Sequence, residues 1–163
     1  MVAPMDTSRL GTGEMIAAGG AIALLILMFL PWYGVDAEFA GVSVSDSANA
    51  WESMSFIDIL LFLLAATTIG IVAGRAAGAV GDDVPWPVLL VAAGGLALLL
   101  VLYRVIDIPT GDVPAEVEDA VDFGREIGLF LALIATAAMA YGGWRANAER
   151  PAAPGGPPPV SAA

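Results

Sequence analysis

The sequence predicts an all-α integral membrane protein: four transmembrane helices in an antiparallel bundle. Three observations carry this. Four long apolar runs stand apart from one another, the first reading MIAAGGAIALLILMFL and the second SFIDILLFLLAATTIG. Hydrophobic residues make up 58% of the 163 positions, above the ~45–50% of ordinary soluble domains. Within each run the apolar residues follow one another without the polar alternation of an amphipathic helix or a half-buried strand. Each run approaches the ~20 residues needed to cross a bilayer.

Taken in order, the spans fall at about 15–33, 52–74, 84–104 and 124–144. They form a transmembrane domain over 13–145 between cytoplasmic tails at 1–12 and 146–163. Residues 1–12 read as a flexible polar tail. Thr12 is the expected N-cap, and Glu14 sits in the first turn, at the positive end of the helix dipole. Pro31 and Gly34 stop the first span, and Ala17, Ala18, Gly19, Gly20 and Ala21 allow a second helix to approach closely. Arg9, the apolar core and Val35-Asp36-Ala37 loosely fit a cleaved leader. The long core, the single preceding basic residue and the bulky Trp32 and Tyr33 argue instead for a retained span.

The first loop, 34–50, holds Asp36, Glu38 and Asp46 and no basic residue. Phe39, Val42 and Val44 alternate with small or polar neighbours in a weak hairpin pattern. Asn49 followed by Glu52 resembles a capping box and starts the second helix near Ala50. That helix runs to Gly74, ~37 Å, with Gly70-x-x-x-Gly74 as a packing motif. After a short loop, Pro85 and Pro87 suit the first turn of the third span, with Asp83 as its cap. Gly94-Gly95 marks its centre and Arg104 its end. The next segment carries Asp107, Asp112, Glu116, Glu118, Asp119 and Asp122, and it is expected to turn helical from Pro114 and run straight into the fourth span. Gly124-x-x-x-Gly128 and Ala135–Ala140 supply that span's close-packing face. The Pro-, Gly- and Ala-rich tail is expected to be disordered.

Composition removes several chemistries. There is no Cys and no His, so disulfides, thiol redox, haem attachment, the usual zinc ligands and a Ser/His/Asp triad all drop out. No Gly-x-Ser-x-Gly elbow occurs, and Asp82-Asp83 has no further spaced acids. A phosphate loop needs a Lys, which the chain lacks. A net charge of −11 excludes a phosphate-binding surface for nucleic acid. No catalytic residue, cofactor or metal is expected.

All six basic residues are Arg. Arg9, Arg75, Arg145 and Arg150 fall on one side of the four spans, and Arg104 and Arg125 on the other. The positive-inside rule therefore places both termini in the cytoplasm and the acidic loops outside. Trp32, Tyr33, Trp51, Trp86, Tyr103 and Trp144 all lie at span ends, as an interfacial aromatic belt does.

One constellation is chemically distinctive. Asp58 lies in an apolar run, where an ionisable group faces a partner or a cavity. Asp58 and Arg104 differ in height by only ~6 Å on adjacent helices, within reach of an Arg side chain. Arg125 is the competing partner. Such a pair is either an ion or proton site near the outer mouth or a bridge that fixes helix register. In the acidic segment, Glu118, Asp122 and Glu126 would share a helix face at i, i+4 spacing. The calcium-loop spacing is absent there, and a solvated acidic face accounts for the segment.

FLPWYGV at 29–35, AWESMSFIDILLFL at 50–63, LYRVIDIP at 102–109 and AYGGW at 140–144 resemble a widespread group of small four-span membrane proteins of actinobacteria and their relatives. The group has no assigned biochemical activity. The resemblance implies the topology and a place in the inner membrane of a bacterium, and it transfers no catalytic residue. The expected function is a non-enzymatic accessory or interaction component of the cell envelope. Its partners are the lipid bilayer and either another membrane protein or a second copy of the chain. The rival is a small transporter or channel component built on Asp58.

Overall fold

The computed structural model describes residues 6–39, 42–51, 56–81, 83–107 and 121–149. The chain is mostly helical, with a small sheet inserted between the helices. The elements are α1 (Thr12–Leu27), β1 (Pro31–Phe39), β2 (Val42–Asn49), α2 (Phe56–Ala76), α3 (Trp86–Ile106), β3 (Val121–Arg125) and α4 (Ile127–Ala148). Three of these helices, α2, α3 and α4, are long and apolar enough to cross a membrane, and α1 is apolar but shorter.

The sheet is the main departure from an all-α expectation. It is antiparallel, in the order β2-β1-β3. The first helix stops at Leu27 rather than running to 33, because Pro31 opens β1 and carries Trp32 and Tyr33 into the sheet. The Trp32 indole N–H then turns back to the Leu27 carbonyl at 2.7 Å, a helix-end acceptor that also takes the Leu30 N–H at 3.0 Å. The hairpin that Phe39, Val42 and Val44 hinted at is present, pairing Phe39 with Val42 and Pro31 with Asn49.

The segment before the fourth helix is not helical either. β3 pairs along the second edge of β1, from Tyr33 opposite Arg125 to Ala37 opposite Val121, and α4 begins only at Ile127. That edge of β1 needs backbone partners, and Val121 and Phe123 suit a strand. Asp122 therefore lies in a strand and Glu126 stands at the N-cap position of α4 in extended conformation, with no side-chain capping bond, so the acidic helix face does not form. Glu118 and the expected helix start at Pro114 lie outside the described residues.

Smaller boundaries shift for local reasons. Ala50 and Trp51 form a turn in which the Asn49 side chain accepts from the Trp51 N–H at 2.9 Å; Glu52 lies outside the described residues. The N-cap of α3 is Pro85, not Asp83, and that of α1 is Gly11, not Thr12. Residues 6–10 are not a free tail. Thr7–Arg9 make a 3-10 turn, the Asp6 N–H donates to the Ala76 carbonyl at 3.1 Å, and Leu10 packs on Val72, Trp86, Leu90 and Ala146. At the other terminus α4 runs through residues 146–148, and the proline-rich stretch lies outside the described residues.

Helix α4 packs against α1 and α3, and α2 packs against the same two helices. The α4 contacts bring backbone against backbone. A Cβ on Gly94 would lie 2.6 Å from Ala140 N, one on Gly143 2.7 Å from the Leu90 carbonyl, and one on Gly20 2.7 Å from the Ala135 carbonyl. Gly13 and Gly142 meet across the α1–α4 contact in the same way. The two motifs read as packing signals divide. In Gly70-x-x-x-Gly74, Gly70 has open space around it and Gly74 faces Val80 of the following loop. In Gly124-x-x-x-Gly128 the first glycine is in a strand, whereas Gly128 is a close contact, where a Cβ would meet the Pro31 carbonyl and lie 2.9 Å from the Trp32 ring. Leu24, Met28, Trp32, Leu61, Val101, Leu129 and Met139 fill the core toward the sheet.

Candidate functional site

Polar chemistry inside the molecule is concentrated at the two ends of α2. Its first turn carries Asp58 and its last turn Arg75. Each reaches a different neighbour.

At the sheet end, Arg104 in the last turn of α3 donates from Nη2 to Asp58 Oδ2 at 2.6 Å, with side chains 5% and 2% exposed. Tyr33 of β1, itself buried, places its ring 5.8 Å from the Arg104 guanidinium carbon, within cation–π range. Arg125, the alternative partner, is exposed and donates from Nε to the Val105 carbonyl at 2.5 Å. Its place at the end of β3 ties the sheet to α3 and keeps it from the role the sequence left open.

At the opposite end is a second, partly buried pair that the sequence reading missed. Arg75 Nε lies 3.0 Å from Glu14 Oε1, with side chains 17% and 3% exposed. The other Glu14 oxygen accepts the Gly11 N–H at 2.8 Å, which closes the first turn of α1. The Arg75 guanidinium carbon sits 4.1 Å above the ring of Trp86, at the start of α3. One cluster thus joins α1, α2 and α3.

All four charges sit where the helix dipoles favour them, Glu14 and Asp58 in first turns and Arg75 and Arg104 in last turns. Asp58–Arg104 is nearly sealed from solvent, and in the other pair Glu14 is buried while Arg75 is partly exposed. Charges so enclosed need compensation from the groups around them, the partner first.

A third, exposed link lies beside the second pair. Glu149, just past α4, accepts the Gly13 N–H at 3.1 Å and Arg145 Nε at 2.8 Å. The Arg145 bond, then the Gly13 N–H, hold its carboxyl below the ordinary glutamate range.

Between the two pairs the inward-facing polar side chains are Thr68 and Thr136, and both hydroxyls are turned onto their own helices. Thr68 Oγ1 donates to the Leu64 carbonyl and Thr136 Oγ1 to the Ala132 carbonyl, each at 2.9 Å. Thr67 faces outward. Among the described residues no group of three or more acidic side chains could hold a metal ion.

The aromatic residues divide. Tyr103 and Trp144 are exposed at helix ends, and Trp51 is half-buried between Phe29 and Phe62 at 5.8 and 5.6 Å. Trp32, Tyr33 and Trp86 point inward. A single outward belt therefore does not describe all six, because three are used to cap α1 or to seat a buried guanidinium. Comparison with known proteins adds no assignment: no protein-family model matches the chain, and no curated protein matches it.

Proposed function

We propose that this chain is a non-enzymatic, multi-pass protein of a bacterial inner membrane. In this reading its four helices form an antiparallel bundle with both termini in the cytoplasm, and it serves as an accessory or interaction component of the cell envelope. The observation that carries the reading is the inversion of polarity along α2. Charges are buried only at its two ends, while large apolar side chains such as Phe56, Ile59 and Leu63 face outward. Asp58 and Arg75 are 17 residues apart, or ~26 Å along the helix, close to the ~30 Å of a hydrocarbon core. A soluble protein places charges outward and apolar residues inward.

The same pattern recurs around the molecule. Ile26 and Phe29 at the end of α1, Leu99 on α3 and Ile134 on α4 are exposed. Helix α1 has 16 residues, ~24 Å, and Met28, Phe29 and Leu30 lengthen its apolar stretch. The Arg count favours placing the sheet, with Asp36 and Asp46, on the outer face.

The threonine hydroxyls favour an accessory role over transport. A pathway needs polar groups that a solute or proton can use in succession, and the two inward hydroxyls are committed to their own backbones. The transport reading retains one supporting feature, the buried carboxylate Asp58 near the outer end. Two measurements separate the readings. Retention in the membrane fraction after alkaline carbonate extraction tests the placement that both readings share, and a partner bound at fixed stoichiometry through gel filtration in mild detergent is expected for the accessory role. Ion flux into liposomes that disappears in Asp58→Asn, with no such partner, would replace it with transport.

A further inference from the structure

Helix α2 is attached to the rest of the protein differently from the other three. Wherever α4 meets α1 or α3, a glycine lets the two backbones touch. Among the described glycines none does this for α2: Gly70 has open space around it and Gly74 faces Val80 of the loop that follows. The inward face of α2 is Leu61, Ala65, Thr68 and Val72 between the two charged ends, with Ala76 just past Arg75. In lipid, apolar side chains gain little by leaving tails as apolar as themselves, so close packing and polar links hold helices together. By that measure α1, α4 and α3 are one interlocked unit, and α2 is pinned to it at its ends.

The pins are unequal in build. At the end away from the sheet, Arg75 engages Glu14 and lies over Trp86, and the Asp6 N–H donates to the Ala76 carbonyl. Those contacts tie α2 to α1, to α3 and to the residues preceding α1. At the sheet end, Asp58 engages Arg104, and the partner guanidinium lies near Tyr33 of the central strand.

We propose that α2 is a movable helix, hinged at the Glu14–Arg75 cluster and latched at Asp58–Arg104, with Tyr33 as the positioning residue through which the sheet holds the latch closed. Opening the latch swings the sheet end of α2 away from α3 while the hinge end stays in place. The weakness of the apolar contacts rests on the membrane reading, and the geometry of the two pins does not. Carbonate extraction reports on the membrane reading separately from the distances below.

The chain has no Cys, so introduced pairs are its only labels. Spin labels on Ile59→Cys with Ile127→Cys report the sheet end, and Ala77→Cys with Asn147→Cys the hinge end; all four positions are exposed. Distances are measured by pulsed electron resonance in lipid nanodiscs. In Asp58→Asn a second sheet-end population is expected, displaced by ~5 Å or more, the scale of a one-turn helix shift, with the hinge-end distance unchanged. Tyr33→Leu is expected to populate the same displaced position. The doubly neutral Asp58→Asn/Arg104→Gln strands no charge, so it serves where the single variant fails to fold, and it too is expected to open the latch. A single undisplaced sheet-end population in the Asp58 variants, or equal movement at both ends, would overturn the proposal. Displacement in those variants with none in Tyr33→Leu would overturn the part assigned to the sheet.

Discussion

Two adjacent glycines should respond to the same substitution with opposite signs. A methyl group on Gly94 would lie 2.6 Å from Ala140 N and from the Met139 carbonyl carbon, both of them backbone atoms that no rotamer change can move aside. Ordinary contact between such atoms is ~3.5–4.0 Å, so α3 and α4 must separate by ~1 Å. A gap of that size forfeits a quarter to a half of the dispersion well for each contact it opens. Overpacking costs ~1–3 kcal/mol. Gly95 has nothing within 4 Å of the same methyl position, and there alanine stabilises the helix by ~0.5–1 kcal/mol. The two variants should therefore differ by ~1.5–4 kcal/mol, or ~3–16 °C in Tm at ~2–4 °C per kcal/mol. The four Trp residues provide the signal for thermal unfolding in detergent. Gly19 and Gly20 repeat the contrast between α1 and α4, since Gly19 has no neighbour within 4 Å and a Cβ on Gly20 meets Ala135 and Met139. If Gly94→Ala and Gly95→Ala shift Tm by the same amount, α3 and α4 do not cross at Gly94, and the packing described above is wrong.

Three further outcomes are expected. Asp58→Leu or Arg104→Leu alone strands a buried charge and should cost ~3–5 kcal/mol of stability in detergent. Asp58→Leu/Arg104→Leu should match the parent or exceed it, and a double variant as unstable as either single one would show that the pair is not compensated internally. A membrane-impermeant maleimide should label Ser45→Cys on intact cells and Asn147→Cys only after permeabilisation; the reverse pattern would invert the topology. Because the Glu149 carboxyl is held below the ordinary glutamate range by Arg145 and the Gly13 N–H, its contribution is present at neutral pH and fades as pH falls through the folded value. Glu149→Gln should therefore lower Tm at neutral pH and converge with the parent in acid. Parallel Tm curves for the two proteins across that range would remove this link from the account.

The helices were legible because an apolar run of span length is a signal that needs no tertiary context. The sheet was not. Pro31, Trp32 and Tyr33 read as the stop of a span, since Pro and interfacial aromatics have that meaning in a membrane sequence, yet they open the central strand. Val121–Arg125 was hidden because Asp122 falls at helical spacing with Glu118 and Glu126, and only β1, nearly a hundred residues earlier, makes it a strand. The height count that set Arg104 beside Asp58 was available a second time. Glu14 begins α1 and Arg75 ends α2, so two helices of opposite direction bring them to one end of the molecule. Glu14 was instead read for its own helix dipole and Arg75 for its side of the membrane, and neither reading looks across helices. Which glycines make contact was not legible at all: Gly19 and Gly20, or Gly94 and Gly95, differ by the ~100° that separates adjacent positions on a helix.

Buried ion pairs are poor sources of net stability, because desolvation offsets most of the Coulomb gain. Glu14–Arg75 and Asp58–Arg104 are better understood by what apolar contacts cannot do. In the membrane placement proposed above, a helix with no glycine notch lies in a solvent as apolar as its own side chains and has no steep energetic reason to prefer one height or rotation over another. A single charged link would fix a point and leave the helix free to pivot about it. Two links ~26 Å apart, made to different neighbours, fix both its depth and its facing direction. Releasing either one restores the pivot, and the cluster of Glu14, Arg75 and Trp86 is built to remain its centre.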